Sequence, residues 1–375
     1  MTAQELRLQT ARQLEAAAER TGTLSAFVGL DGFVDLILHV VDKRESAEKF
    51  TRVPTIAKFA ERLAAAAGRS TNVELVTAMT KLGGNGPIMS NALAAFGLRV
   101  TYLGNLGHPA IHPVFAEFAR RATVHSIAQP AFTDALEFED GKIMLGKHES
   151  LRDVNWQNIV ERFGREKLVE QMSGASLVGF VNWTMLTAMS DIWEQLQREI
   201  CPHLRGPRRA LFVDLADPEK RTAEDIRHAL QLVAGFQQWF DVILGLNEKE
   251  SGEIGRALGL DTRDTSPAGL QRLALAINER VPVQTVVVHP VAFALTASGG
   301  QTALVDGPFV AKPKITTGAG DHFNSGFCLG RLLGLDHAAS LLCGVTTSGH
   351  YVRTAQSPSV PDLVHFLRHW PEREA

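Results

Sequence analysis

The chain has only three cysteines in 375 residues, Cys201, Cys328 and Cys343, and none of them sits in a CxxC pair. That spacing excludes a zinc site and a disulfide framework, and it predicts reduced, packed thiols in a cytoplasmic protein. Long apolar runs are also missing. The most apolar stretches, 34–41 and 285–297, fall well short of the roughly 20 residues that a membrane span requires, so no membrane partner is expected. The N-terminal segment carries Glu5, Arg7, Arg12, Glu15, Glu19 and Arg20 without an unbroken apolar stretch, which predicts a surface helix and not a signal peptide. Blocks of like charge are absent too. Lys and Arg are scattered and the net charge is −3, which excludes a broad nucleic-acid surface and leaves local grip as the way to hold a phosphate. The first strand is followed by Gly29-Leu30-Asp31-Gly32, without the GxGxxG spacing of a dinucleotide oxidoreductase.

What the chain does have is alternation. Apolar runs at 25–30, 100–103, 177–180, 210–213, 242–246 and 285–288 read as buried strands, and amphipathic stretches at 89–96, 189–199, 223–240 and 269–280 read as helices between them. With 45% hydrophobic residues the chain can bury a large core. Strands apolar on both faces and separated by helices predict an α/β fold with a mostly parallel sheet covered on both sides, its ligands gathered at the carboxyl ends of the strands. Two regions break the pattern. Residues 33–42 continue beyond the first strand, and 132–148 reads as a hairpin around Glu139-Asp140-Gly141-Lys142. Together they predict either a small separate sheet lying as a lid over a cleft or edge strands of the main sheet.

Three segments carry chemistry. In Thr316-Thr317-Gly318-Ala319-Gly320-Asp321 a loop of small residues runs into a helix, whose first N–H groups and dipole suit an anion, phosphate above all. A carboxylate at that place suggests a base beside a phosphoryl group and a hydroxyl; the plainer reading is a turn with Asp321 as a capping residue. Beside a helix N-terminus its ionised form is favoured, which predicts a base ready at neutral pH. In Gly83-Gly84-Asn85-Gly86-Pro87, tight backbone before a helix can present Asn85 to ligand hydroxyls, or can be ordinary loop chemistry. In Asn247-Glu248-Lys249-Glu250, Asn247 and Glu250 have the spacing of a capping box, and Glu250 could also stand near a hydrated Mg²⁺.

These segments, in this order, resemble the ribokinase-like (PfkB) family of carbohydrate kinases over about residues 25–367. The resemblance implies a three-layer α/β/α sandwich with a small β-sheet lid, one kinase domain over 1–375, ATP as phosphoryl donor and Mg²⁺. It implies Asp321 as catalytic base and Gly318, Ala319 and Gly320 as the anion hole. Asn247, Glu250 and Thr317 fall on the nucleotide and magnesium side, with Glu250 reaching the metal through water. Gly83, Gly84 and Asn85, with Asp35 or Asp31, fall on the sugar side. It further implies a small sugar or sugar-like acceptor and a possible homodimer through the lid. A nucleoside kinase and a catalytically silent sugar- or nucleotide-binding protein on the same scaffold are the alternatives.

The chain departs from the family pattern in places. Ile88 stands where an Asn is usual, and Ile315 stands where an Asp helps hold a monovalent cation, so dependence on such a cation does not follow from the resemblance. After the strand at 285–288 comes His289-Pro290-Val291-Ala292-Phe293 in place of a glycine-containing loop, and residues 55–67 form a helix-like insert. His108, His112, His148 and His350 lack metal-ligand spacing. Trp183 is expected in the core. Asp214, Asp217 and Arg221 follow a strand at its ligand end, and Gly326, Gly330 and Gly334 predict a stripe for close helix packing.

Overall fold

The computed structural model describes residues 1–371. Its strands, in chain order, are β1 Ser25–Leu30, β2 Phe33–Arg44, β3 Phe50–Arg52, β4 Leu75–Gly83, β5 Arg99–Gly104, β6 Thr123–Ser126 and β7 Ala131–Phe138. They continue as β8 Gly141–Lys147, β9 Leu177–Val181, β10 Arg209–Asp214, β11 Phe240–Leu246, β12 Thr285–Val288, β13 Phe293–Ser298 and β14 Gln301–Asp306.

Nine strands form the main sheet in the order β14-β13-β12-β11-β10-β9-β1-β5-β6, parallel from β12 to β6, with β13 and β14 added antiparallel at one edge. The runs read as doubly buried are so: every residue of β9 and of β12 is buried. Hydrophobic clusters lie on both faces of this sheet, as the α/β/α sandwich requires. The N-terminal helix Ala3–Ala17 starts on a Thr2–Glu5 capping box and buries Ala11 and Leu14 against the helix Val360–Arg368.

The segments that broke the alternation do form a second sheet. In it β2 pairs with β4 and β3 antiparallel and with β7 parallel, and β7 pairs with β8. Strand β4 was not anticipated, because its Met79 and Leu75 lie exposed and its burial shows no two-residue alternation. The insert forms the helix Ile56–Ala64, which backs the lid. Its Phe59 packs on Phe138 with ring centroids 5.6 Å apart, within a small core of Leu38, Val40, Val53 and Leu136.

Several helix boundaries differ from the sequence reading. The helix over 223–240 stops at Gly235, and Phe240 already opens β11. The one read over 89–96 begins at Asn85, since Pro87 falls in the first turn, where its missing N–H costs nothing. Of the glycine stripe, a Cβ at Gly326 would stand 2.2 Å from Thr347 Oγ1 and one at Gly330 2.7 Å from Ser340 Cα, so both admit the helix His337–Thr354. Gly334 does not belong to the stripe. It lies beyond the end of its helix at φ 80° with open space around it, and it serves as a terminator.

Candidate active site

The helix Ala319–Leu332 begins on Gly318, whose φ of 89° is a conformation that favours glycine. Ala319 donates its N–H to Thr316 O at 3.1 Å and Asp321 turns its N–H to its own carboxylate, while among the described residues no backbone carbonyl takes the N–H of Gly318 or Gly320. Two amides at a helix start are thus left for an anion. The side chain of Asp321 is 6% exposed and accepts a hydrogen bond at Oδ1 from Asn85 Nδ2 at 3.0 Å.

The expectation of an ionised carboxylate at neutral pH is corrected. Burial pushes the Asp321 pKa up to about 8; the charges of Asp31 and Glu250 push the same way, and the Asn85 bond only partly opposes them. Desolvation and neighbouring carboxylates outweigh the helix dipole because the dipole acts across one turn, whereas burial removes the whole hydration shell.

Asn85 is held from below. Asp31, fully buried, accepts the N–H of Asn85 at 2.9 Å on Oδ2 and that of Gly86 at 2.8 Å on Oδ1. It also accepts Asn182 Nδ2 at 2.7 Å, and Tyr102 donates its hydroxyl to the Asp31 carbonyl. Asp31 therefore caps a helix 54 residues downstream and does not line the neighbouring cavity, so of the two acids weighed for substrate hydroxyls only Asp35 reaches it. Gly84, at φ 101°, makes the turn into that helix. Gly83 leaves room for Asp35, whose carboxylate would lie 2.5 Å from any Cβ there. Burial raises the Asp35 pKa, against the lowering effects of Lys81, Thr133 and Lys142. Register places Lys81 and Thr133 beside it on β4 and β7.

On the other side, Asn247 and Glu250 do make the capping box: Glu250 N donates to Asn247 Oδ1 and Asn247 N to Glu250 Oε2, both at 2.9 Å. The remaining oxygen of Glu250 accepts Asp217 N at 3.0 Å. Asp214 accepts Ala216 N and Asn324 Nδ2 at 2.9 Å each. Burial raises its pKa well above the usual carboxylate range, and Glu250 and Asp321 add to the rise.

Two cavities meet at this place. One, of about 350 Å³, is lined by Asp35, Asn85, Asn182, Lys220, Glu250 and Asp321 among others, with Gly84, Thr317 and Gly318 on its wall. The second, of about 370 Å³, is lined by Pro290, Phe309, Val310, Val345 and Val352, with Thr316, Ala319 and Gly320 on its wall. The Thr316–Asp321 turn and Asn247 form the border, so one polar and one largely apolar chamber share a two-amide anion site with a carboxyl group on the polar side. Thr317, expected with the nucleotide, faces the polar chamber.

Sequence reading missed Asn182, Lys220 and His289 as lining residues. Asn182 stands just after β9 at φ 62°, a conformation Asn tolerates, and with Nδ2 on Asp31 its Oδ1 is buried without a partner. His289 packs on Phe323 with ring centroids 4.6 Å apart, and burial holds its pKa down at about 4. Trp183 is a core residue as expected, its indole N–H on Ser190 Oγ at 2.9 Å, and Arg221 stacks over its ring and lines neither of these two cavities. The described residues contain no group of three His, Cys, Asp or Glu able to ligate a metal directly, nor any helix long and apolar enough to cross a membrane.

The model of the family described as prokaryotic ketohexokinase matches residues 3–370. A ketohexokinase of Haloferax volcanii is 30% identical over 354 residues, covering 94% of this chain and 93% of that protein. Among solved structures, a phosphofructokinase-2 mutant from Escherichia coli superposes with a TM-score of 0.63 at 14% identity, covering 92% of this chain and 98% of that one. The ribokinase of Arabidopsis thaliana, complexed with ribose and ATP, superposes with a TM-score of 0.62 at 15% identity and the same coverage. The latter two likenesses establish the fold, and the family model with the Haloferax volcanii relative establishes the rest: the chain belongs to the prokaryotic ketohexokinase family and is a carbohydrate kinase of the ribokinase-like (PfkB) group.

Proposed function

We propose that the chain transfers the terminal phosphoryl group of ATP to a hydroxyl of a ketohexose, fructose in the first place, with the two sheets acting as one kinase unit. The observation that carries this reading is the placement of Asp321 on the polar side of a turn whose free amides separate two cavities. The polar cavity would take the sugar, with Asp35, Asn85 and the unpartnered Asn182 Oδ1 as hydroxyl partners. The apolar one would take the purine between Pro290, Phe309 and Val352.

Asp321 accepts the proton of the attacking hydroxyl. Asn85 ties down Oδ1 and leaves Oδ2 for the substrate, and a pKa close to working pH makes the carboxylate a more effective base than an ordinary Asp. Of the expected anion hole of Gly318, Ala319 and Gly320, the Ala319 amide is held by Thr316 O, and those of Gly318 and Gly320 stabilise charge on the transferring group, which is the main demand of a loose phosphoryl-transfer transition state. Glu250 raises the pKa of both Asp214 and Asp321, and Asp321 adds to that of Asp214, which marks a surplus of negative charge that suits a cation. A hydrated Mg²⁺ fits there through waters on Glu250 and Asn247, and it would supply neutralisation of the nucleotide phosphates. The lid carries Met79, Leu75, Met144 and Leu145 exposed, with β4 as a bare edge strand; a homodimer through this sheet would cover them.

The family match favours a ketohexose over the nucleoside alternative, and a base in an open cavity argues against a silent binding protein. The test is nucleoside-diphosphate release across ketohexoses, aldohexoses and nucleosides. Fructose is expected to give the highest kcat/KM, and a nucleoside exceeding every sugar would overturn the substrate assignment.

A further inference from the structure

The amino ends of β1, β10, β11 and β12 surround a cavity of about 480 Å³ at the far end of the main sheet from Asp321. Three guanidinium groups face it, Arg208, Arg209 and Arg331, against one carboxylate, Asp241. Arg208 Nε pairs with Asp241 Oδ1 at 2.6 Å, so these two cancel and two positive charges are left over.

Arg209 is 7% exposed and has no carboxylate within salt-bridge distance among the described residues. Its Nη2 donates to the carbonyls of Arg205 at 2.5 Å and Pro207 at 2.7 Å, while Nε and Nη1 have no acceptor in the described protein. Arg331 donates through Nη1 to Leu335 O at 2.6 Å and feels Asp241 and Asp336 only at longer range. An unpaired buried guanidinium is costly, and folded proteins normally answer it with Asp or Glu. Here the open N–H groups border a cavity instead. Burial lowers the pKa of both arginines, in keeping with the missing counter-charge.

The other wall is different in kind. The helices Arg165–Gly174 and Ala319–Leu332 both end here; in the second the carbonyls of Leu329, Gly330 and Arg331 are taken by the N–H groups of Leu333, Leu335 and Gly334, so the open acceptors come mainly from the last turn of the first, where Ser25 Oγ already uses Gly174 O at 2.9 Å. Ser173 and Gln284 add polar side chains. A bare anion would meet the arginines but would leave these acceptors unused and would oppose the helix dipoles. A molecule with an anionic end and a hydroxyl-bearing body suits both walls.

We propose that this cavity binds a small phosphate ester, its phosphate on Arg209 and Arg331 and its hydroxyls toward Ser173, Gln284 and the carbonyl wall. It is a separate site from the Gly318–Asp321 turn. Arg331 and Asp321 lie ten residues apart on one helix, which at about 1.5 Å per residue separates them by roughly 15 Å.

The test is calorimetric titration of the whole chain with inorganic phosphate and with glycerol 3-phosphate, at a saturating level of a non-hydrolysable ATP analogue that fills the catalytic turn. One binding event is expected to survive the analogue, with the ester at least as tight as inorganic phosphate. Arg331→Gln and Arg209→Gln are each expected to weaken it tenfold or more. Arg331 is only half-buried, so its variant keeps the test open if Arg209→Gln does not fold, and Arg331→Lys, which keeps the charge, is expected to restore part of the affinity. Binding abolished by the analogue, binding unchanged in Arg331→Gln, or an ester weaker than inorganic phosphate would each overturn the proposal.

Discussion

Asn85 Nδ2 lies 3.0 Å from Asp321 Oδ1, joining the first turns of two helices that are 236 residues apart in the chain. It is the side-chain donor that opposes the rise of the Asp321 pKa. Asn85→Ala is therefore expected to move the rising limb of the kcat/KM profile to higher pH by about one unit, the equivalent of about 1.4 kcal/mol for a hydrogen bond to a charged group. A lowered kcat with the limb unmoved would reduce Asn85 to a substrate contact.

Asp321→Asn is expected to bind sugar but to lose turnover by roughly 10²- to 10⁴-fold, the usual contribution of a general base. Near-normal turnover would remove Asp321 from the chemistry.

The same carboxyl group affects stability, with a definite sign. Its pKa is about 8 in the folded protein against an ordinary 3.8, so the unfolded chain gives up this proton first as pH rises. The ligand-free protein should lose stability from about pH 4 to about pH 8 and then level off. Asp321→Asn removes this slope and should be more stable than the parent at pH 8, on the order of 5 kcal/mol, with little difference near pH 3. Parallel melting-temperature profiles for the two proteins would contradict the raised pKa.

Asp31→Ala leaves the Asn85 and Gly86 amides and the Asn182 amide without their acceptor, which should destabilise the protein by about 3 kcal/mol. Since Asp31 acts through Asn85, adding Asn85→Ala to Asp31→Ala should reduce kcat little further. Additive losses in kcat would mean that the two residues act independently.

Glu250→Gln keeps the shape of the capping box but removes the charge and turns one of the two acceptor oxygens into a donor, at a cost of about 1 kcal/mol. It should also raise the magnesium concentration needed for half-maximal rate. Unchanged metal dependence alongside the stability loss would leave Glu250 a helix cap alone.

Met79→Lys places a charge on the bare edge of the lid, where the side chain is 57% exposed. Sedimentation is expected to show a dimer for the parent and a monomer for the variant; a monomeric parent would rule out the lid interface.

Much of this architecture was legible in the residues. Buried strands such as Leu177–Val181 and Thr285–Val288 are continuous apolar runs, which only a doubly covered parallel sheet can use. The Gly318 turn, the Gly84 turn and the Asn247–Glu250 box are local devices, readable because their partners lie within a few positions. β4 escaped notice because an exposed edge strand carries no burial pattern. Asp31 and Asp35 could not be told apart because one acid after a strand looks like another until it is known which one is buried.

Residue order and type by themselves determined the kinds of elements, their sequence along the chain, and a carboxylate set against bare amides at a helix start. Folding alone decided that Asp31 would serve a distant helix, that Asn85 would reach Asp321, that the turn would divide two chambers, and that Asp321 would titrate near 8. Hydrogen bonds to the next turn depend on neighbours a few positions away, whereas burial and the field of surrounding charges sum over residues hundreds of positions apart, and only the packed chain sets their distances.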